Sequence, residues 1–191
     1  MSINKKTPIP IMKKIVETKR LILREILPTD LDAMFELHSD PEVHAFLGNK
    51  TITNKAEAQH LIDFVRQHYI DFGIGRWAVI DKKDKAFMGW TGLEFVTDSI
   101  NNHTNYYDLG YRLLKKYWGQ GIATESAFAS LEYAFDELNT EEVFARTDSN
   151  NSGSHNVLKK VGLKYIETFD FEGIQHNWYK IDKTTFNTII F

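Results

Sequence analysis

Hydrophobic and polar positions change period repeatedly along the chain, from the alternation of strands to the three-to-four-residue spacing of helices. An irregular lead-in holds Pro8 and Pro10. Ile15 and Val16 follow, and after a polar break Leu21, Ile22, Leu23 and Arg24 predict a first strand. Pro28, Thr29 and Asp30 predict a helix start, with Thr29 as cap and Asp32 three residues on. Leu31, Met34, Phe35 and Leu37 give that helix its apolar face, and Asp40 with Pro41 stops it. A second helix starts near Thr53 and Asn54, with Glu57 three residues after Asn54. It carries Ala58, Leu61, Ile62, Val65 and Tyr69 at helical spacing, and Gly73 and Gly75 end it.

Strand-like runs cover residues 77–80 and 87–95, and the polar stretch 98–102 predicts a turn. Tyr107, Leu109, Tyr111 and Leu113 then alternate with Asp108, Gly110 and Arg112, the period of a strand. Past the pair Gly119 and Gly121, a strong helix shows Ala123, Ala127, Phe128, Leu131, Ala134, Phe135 and Leu138 on one face. Residues 143–147 predict a strand, 148–153 a polar turn, and 154–161 a short helix stopped at Gly162. Residues 163–169 and 177–181 are the final strands, with a hairpin turning at Gly173. The order β-α-α-β-β-β-α-β-α-β-β does not alternate strictly, which predicts an α/β chain of the mixed (α+β) kind, one mixed sheet with helices on its faces.

Composition narrows the classes. The 191 residues are 42% apolar and 13% aromatic, enough to bury a sizeable core. Residues 1–12 read as a loose N-terminal leader and 13–191 as one domain. Lys and Arg total 23 against 26 Asp and Glu, a net charge of −3, which argues against a nucleic-acid partner. No apolar run approaches the length of a membrane span or a signal peptide, so a cytoplasmic protein without a membrane partner is expected. There is no cysteine, hence no disulfide, thiolate metal site or thiol nucleophile. The seven histidines show no metal-ligand spacing, so no metal is expected.

Chemistry concentrates between Tyr107 and Gly162. A strand, a glycine-bearing loop and a helix start form a natural phosphate site, because free amides and the helix dipole both favour an anion. The dinucleotide pattern Gly-x-Gly-x-x-Gly fails at Thr124, and the Walker pattern is absent. The run Trp118, Gly119, Gln120, Gly121, Ile122, Ala123 resembles the acyl-CoA pyrophosphate loop of the GNAT superfamily of N-acetyltransferases. Gly121 and Ala123 match the last two fixed positions, and Trp118 stands where Gln or Arg is usual. The string from Tyr117 to Glu125 is similar to the RimJ/RimL branch. So are residues 17–24, 40–43 and 109–111. Asn151, Ser152, Gly153 and Ser154, followed by residues 157–163, resemble the second CoA-facing motif. The resemblance covers roughly residues 15–181.

That resemblance implies a mixed, mostly antiparallel GNAT-like sheet and acetyl-CoA as acyl donor. The pantetheine arm is then expected between two splayed strands, against Tyr111, Arg112 and Leu113. The pyrophosphate is expected on the amides from Gly119 to Thr124, with Asn151 and Ser154 flanking the arm. Lys159 or Lys160 is expected near the nucleotide phosphates, unless both are simply a solvated helix face. Many members place a tyrosine acid seven residues after the motif Asn; that position is Leu158 here. Ser154 is the alternative donor to the thiol sulfur, or it merely caps its helix. Glu94 and Asp108 are candidate bases or amine anchors on the strands bordering the cleft; His155 and His176 are further candidates. The implied function is acetylation of a primary amine, either a small molecule or a protein N-terminus, by direct attack in a ternary complex, in a monomer or homodimer. The alternative is a non-catalytic acyl-CoA sensor or scaffold.

Overall fold

A computed structural model describes residues 15–189; the expected leader lies outside them. Eight strands form one sheet in the order β1-β2-β3-β4-β5-β6-β8-β7. They are β1 Ile15–Glu17, β2 Leu21–Glu25, β3 Arg76–Asp81, β4 Phe87–Val96, β5 Tyr106–Leu113, β6 Glu142–Asp148, β7 Lys164–Phe171 and β8 Ile174–Asp182. The helices are α1 Leu31–Ser39, α2 Lys55–Phe72, α3 Ile122–Asp136, α4 Ser152–Lys160 and α5 Lys183–Phe186. Ile15–Glu17 is thus a short edge strand of its own, and the four-residue α5 closes the described chain.

The first helix begins differently from expectation. Thr29 is not its cap; a single 3-10 turn, Pro28–Asp30, precedes α1. The Asp30 carboxylate accepts the Leu27 amide at 2.8 Å and takes both Nη atoms of Arg24 at 2.7 and 2.8 Å. That buried, doubly used carboxylate fixes the chain one residue later than Thr29 would. The second helix starts as its sequence predicts, with Asn54 accepting the Glu57 amide. Gly73 ends it in the left-handed region and donates to the Tyr69 carbonyl, the usual way a helix closes on glycine.

Side-chain alternation along the strands sorts the core into two layers. Leu21, Leu23, Val79, Leu93 and Leu109 face α3, meeting Ala127, Leu131, Ala134 and Phe135. Ala78 and Ile80 point the other way, toward Ile26 and Met34 before and on α1 and Ile62 on α2. Small residues on α3, including the fully buried Ser126 and Ser130, let that helix lie close to the sheet.

The sheet is antiparallel except at its centre. β4 and β5 pair over eight positions, from Gly89 with Leu113 to Val96 with Tyr106. β5 and β6 run parallel and pair at one position only, Asp108 with Phe144. β6 then pairs with β8 along its whole length. Two half-sheets therefore meet at Asp108 and part beyond it, leaving residues 109–113 without a strand partner on that side. The β7–β8 hairpin turns through Glu172 and Gly173, both at positive φ, as a two-residue hairpin requires.

Candidate functional site

The opening between β5 and β6 is a cleft of about 640 Å³. One wall is residues 109–113 of β5; the other is Arg146, Thr147 and Asp148 of β6 with Asn151 and Ser154 at the start of α4. An unpaired strand edge carries free N–H and C=O groups, a ready partner for an extended amide-bearing ligand. The cleft ends at Trp118, Gly119, Gly121, Ile122, Ala123 and Thr124, the loop into α3.

That loop is shaped for an anion. Gly121 occupies the N-cap position at φ 77° with no side-chain cap, so the first amides of α3 are left to an incoming ligand. A residue with a Cβ is strained at that φ. The turn between β1 and β2 braces the loop from behind. Arg20 donates to the Gln120 carbonyl at 3.0 Å and to the Glu125 carboxylate at 2.6 Å, and Thr18 donates to the same carboxylate at 2.5 Å. Burial alone would raise the Glu125 carboxyl, but the bonds from Thr18 and Arg20 outweigh it and hold it below its usual range. Trp118 donates its indole N–H to the Leu113 carbonyl at 2.8 Å, which takes that carbonyl out of the free edge. Gln120 points away, its amide bonded to the Lys116 carbonyl.

At the α4 wall the expected residues divide their tasks. Asn151 is the helix cap, its side-chain oxygen accepting the Ser154 amide at 3.0 Å, so Ser154 is not the cap. The Ser154 hydroxyl lies 2.9 Å from the Tyr111 hydroxyl, which also reaches the Ser154 carbonyl at 3.0 Å. A carbonyl only accepts, so the Tyr111 proton goes there and the Ser154 proton goes to Tyr111. Burial raises the Tyr111 phenol and keeps it protonated. Leu158, which stands where the resemblance implies a tyrosine acid, is 1% exposed in the core. Lys160, not Lys159, lines the cleft. His155 is held between the Ser149 carbonyl and the Tyr179 hydroxyl and fastens α4 to β8. His176 lines the cleft, its Nδ1 bonded to the Ile174 carbonyl.

The two candidate carboxylates meet at Arg76, which sequence patterning does not mark. Arg76 starts β3 and reaches across β4 to β5, donating to the carbonyls of Gly92 and Asp108 at 2.6 and 2.7 Å. Its other Nη meets Asp108 Oδ2 at 2.5 Å and Glu94 Oε2 at 3.2 Å. Gly110 permits this crossing: a Cβ there would lie 2.8 Å from the guanidinium. Asp108 lines the cleft and is buried, and its Oδ1 has no hydrogen-bond partner. Burial pushes its carboxyl up, against the pull of Arg76 and Arg146. Glu94 is more open and lies behind Arg76, outside the cleft lining.

Further along the same face, Arg112 is a buried cation without a carboxylate. Its Nη1 lies 2.9 Å from His38 Nδ1 and 3.4 Å from His44 Nε2, and its guanidinium sits 5.1 Å over Trp90. Burial lowers the Arg112 pKa to about 10. Burial, then the charge of Arg112, lowers His38 to about 3, so it stays neutral and can accept. The Arg112 side chain is thus turned from the cleft's open edge into a histidine cage, and only its backbone belongs to that edge. Among the described residues no group of three acidic or histidine side chains gathers as metal ligands would.

A strand-edge wedge closed by a glycine loop at a helix start is the arrangement that the resemblance to the GNAT acetyltransferases implies. Residues 20–164 match the family described as "Acetyltransferase (GNAT) domain", and the chain belongs to that family. It is 26% identical over 163 residues to the Bacillus licheniformis "Uncharacterized N-acetyltransferase p20", covering 85% of this chain and 86% of that one. A GNAT-family acetyltransferase from Bacillus anthracis superposes with a TM-score of 0.75 at 20% identity, over 90% of this chain and 99% of that one. Vibrio cholerae spermidine N-acetyltransferase, solved with CoA and spermine, gives 0.72 at 17% identity, over 90% and 100% of the two chains.

Proposed function

We propose that the chain is an acetyl-CoA-dependent N-acetyltransferase acting on a primary amine by direct attack in a ternary complex. The observation that carries this is the single-position pairing of β5 with β6, Asp108 with Phe144, beyond which the strands open onto the uncapped start of α3. The free edge from Leu109 to Arg112 would hold the pantetheine amides, and the amides after Gly121 the pyrophosphate. Asn151 fixes the start of α4, and Lys160 stands where the nucleotide phosphates would reach solvent.

Acetyl-CoA supplies an acetyl group on a thioester. The amine enters as an ammonium, which gives one proton to a base and becomes nucleophilic. Asp108 suits that base: one oxygen is fixed by Arg76, the other is unpartnered, and burial raises its affinity for a proton. The nitrogen then bonds to the thioester carbon as the C–S bond breaks. The sulfur leaves with the electron pair, and as the amide forms the nitrogen's second proton replaces the one that Ser154 gives to the sulfur. Ser154 is the proton donor to the sulfur, and Tyr111, which accepts from it at rest, holds its hydroxyl in place. No covalent intermediate on the protein is needed, which suits a chain without cysteine. The finer assignment, to the RimJ/RimL-like branch with a protein N-terminus among the acceptors, rests on the motif strings at residues 17–24 and 117–125.

Calorimetric titration with acetyl-CoA, against ATP and NAD as controls, tests the donor. Micromolar binding of acetyl-CoA alone is expected, followed by release of CoA thiol with an amine. Absence of binding sinks the proposal; binding without turnover on any amine favours the sensor reading.

A further inference from the structure

The acceptor half of the cleft carries charge of a definite kind. Three carboxylates line the cleft, and each is already engaged. Asp108 is bonded to Arg76, Glu42 to Lys115, and Asp148 to the backbone and side-chain amides of Asn150. The cations are less well matched. Arg112 has only neutral histidines for partners. Arg146 makes no hydrogen bond or ion pair: its guanidinium lies on the Phe171 ring, its charge acts on Asp108 without a contact, and its Nη1 is buried and unsatisfied. Leaving a charged donor in that state is costly.

The placement of Arg146 is built rather than incidental. It lies on β6, two residues past the Asp108–Phe144 junction, with its guanidinium carbon 4.3 Å over the ring of Phe171. Phe171 ends β7 and packs against His176, so the β7–β8 hairpin forms a wall behind the arginine. An aromatic ring over one face of a guanidinium leaves the donors along its edge, the geometry that grips a carboxylate with two parallel bonds. Across the junction stands Asp108, with its own unpartnered oxygen. An unsatisfied cationic fork and an unsatisfied carboxylate oxygen thus face one cavity from adjoining strands.

We propose that the acceptor is a small amine that also carries a carboxylate, an amino-acid-like zwitterion, with its carboxylate held by Arg146 and its amine facing Asp108. This rests on the acetyltransferase reading of the cleft. A polyamine fits poorly, because it would bring several positive charges to a site where one buried carboxylate oxygen, on Asp108, lacks a partner and the other spare charges are arginines.

The test uses the whole protein saturated with acetyl-CoA and follows thiol release. The acceptors are free amino acids, their matched amino amides, and spermidine. The amide has the less basic amine, so intrinsic reactivity runs against the proposal. The expected result is a kcat/KM for the acids about tenfold or more above their amides, carried mainly by KM, as loss of a charge-assisted bond implies. In R146Q the acid-to-amide ratio should collapse toward one, and R146K should restore part of it. Equal or better turnover of the amides, or a preference for spermidine, overturns the proposal without touching the donor assignment. So does acetyl-CoA binding with no turnover of any carboxylate-bearing amine. Failure to bind acetyl-CoA at all removes the acetyltransferase reading, and the acceptor proposal falls with it.

Discussion

Acidification should weaken this fold through one histidine, and the size of the effect can be worked out. His38 is 6% exposed on α1, with Nδ1 accepting from Arg112. Protonating it would set a second cation against an arginine that has no carboxylate. Its pKa is therefore held at about 3, against 6.5 in an open chain. A folded pKa below the unfolded one gives stability that is complete above pH 6.5 and lost as pH falls toward 3. Between pH 7 and pH 5 the loss from His38 alone is about 2 kcal/mol. For a chain of this length that is a fall in Tm of about 4–8 °C. His38→Gln supplies an amide oxygen for Arg112 but does not titrate. Melting curves for the two proteins at pH 7, 6 and 5 give two slopes of Tm against pH. The wild-type slope should be steeper by that amount, whatever H38Q loses at neutral pH through imperfect packing. Parallel slopes would refute the view that a neutral His38 is what makes the Arg112 cation tolerable.

Three further outcomes test the site. Gly121→Ala must hold φ 77° with a Cβ, at a cost of about 1–2 kcal/mol, and its methyl meets the Arg20 guanidinium that braces the loop; calorimetry should show acetyl-CoA affinity down about tenfold with Tm down only a few degrees, and unchanged affinity would remove the loop from the phosphate role. Tyr111→Phe and Ser154→Ala should each lower kcat by about a hundredfold with little change in acetyl-CoA affinity, and the double variant should lose no more than either alone, because Tyr111 acts only through the Ser154 hydroxyl it holds; additive losses would separate them. Since burial raises the Asp108 carboxyl, wild-type kcat/KM should fall as pH drops through a midpoint above the usual aspartate range, and D108N should be slow and lack that limb.

Much of the fold is legible in the sequence because it is written in local periodicity. The alternation of residues 107–113 and the apolar stripe of residues 123–138 give β5 and α3 nearly to their ends. The glycine loop is legible because Gly119 and Gly121 sit where positive φ is needed. Thr29 fails as a cap because Asp30, indistinguishable from it by pattern, has Arg24 to bond. Tyr111 illustrates the other limit. Its place on the free strand edge follows from the motif, but its hydroxyl's partner lies 43 residues away on α4. The odd phase it shares with Leu109 and Leu113 is the signal that its side chain faces inward.

The sequence by itself determined most of the element order, the mixed sheet, the glycine loop before α3 and the lack of any cysteine chemistry. Each depends on neighbours within a few residues or on composition. Only the tertiary structure decided where the sheet splits and how charge is shared around the split. Arg76 finds Asp108 across 32 residues, Arg112 finds His38 across 74, and Arg146 finds a ring to lie on but no hydrogen-bond partner for its buried Nη1. Such pairings are fixed by which strands lie side by side and by the burial that forces each charge to be matched or left waiting for a ligand. No local pattern records them.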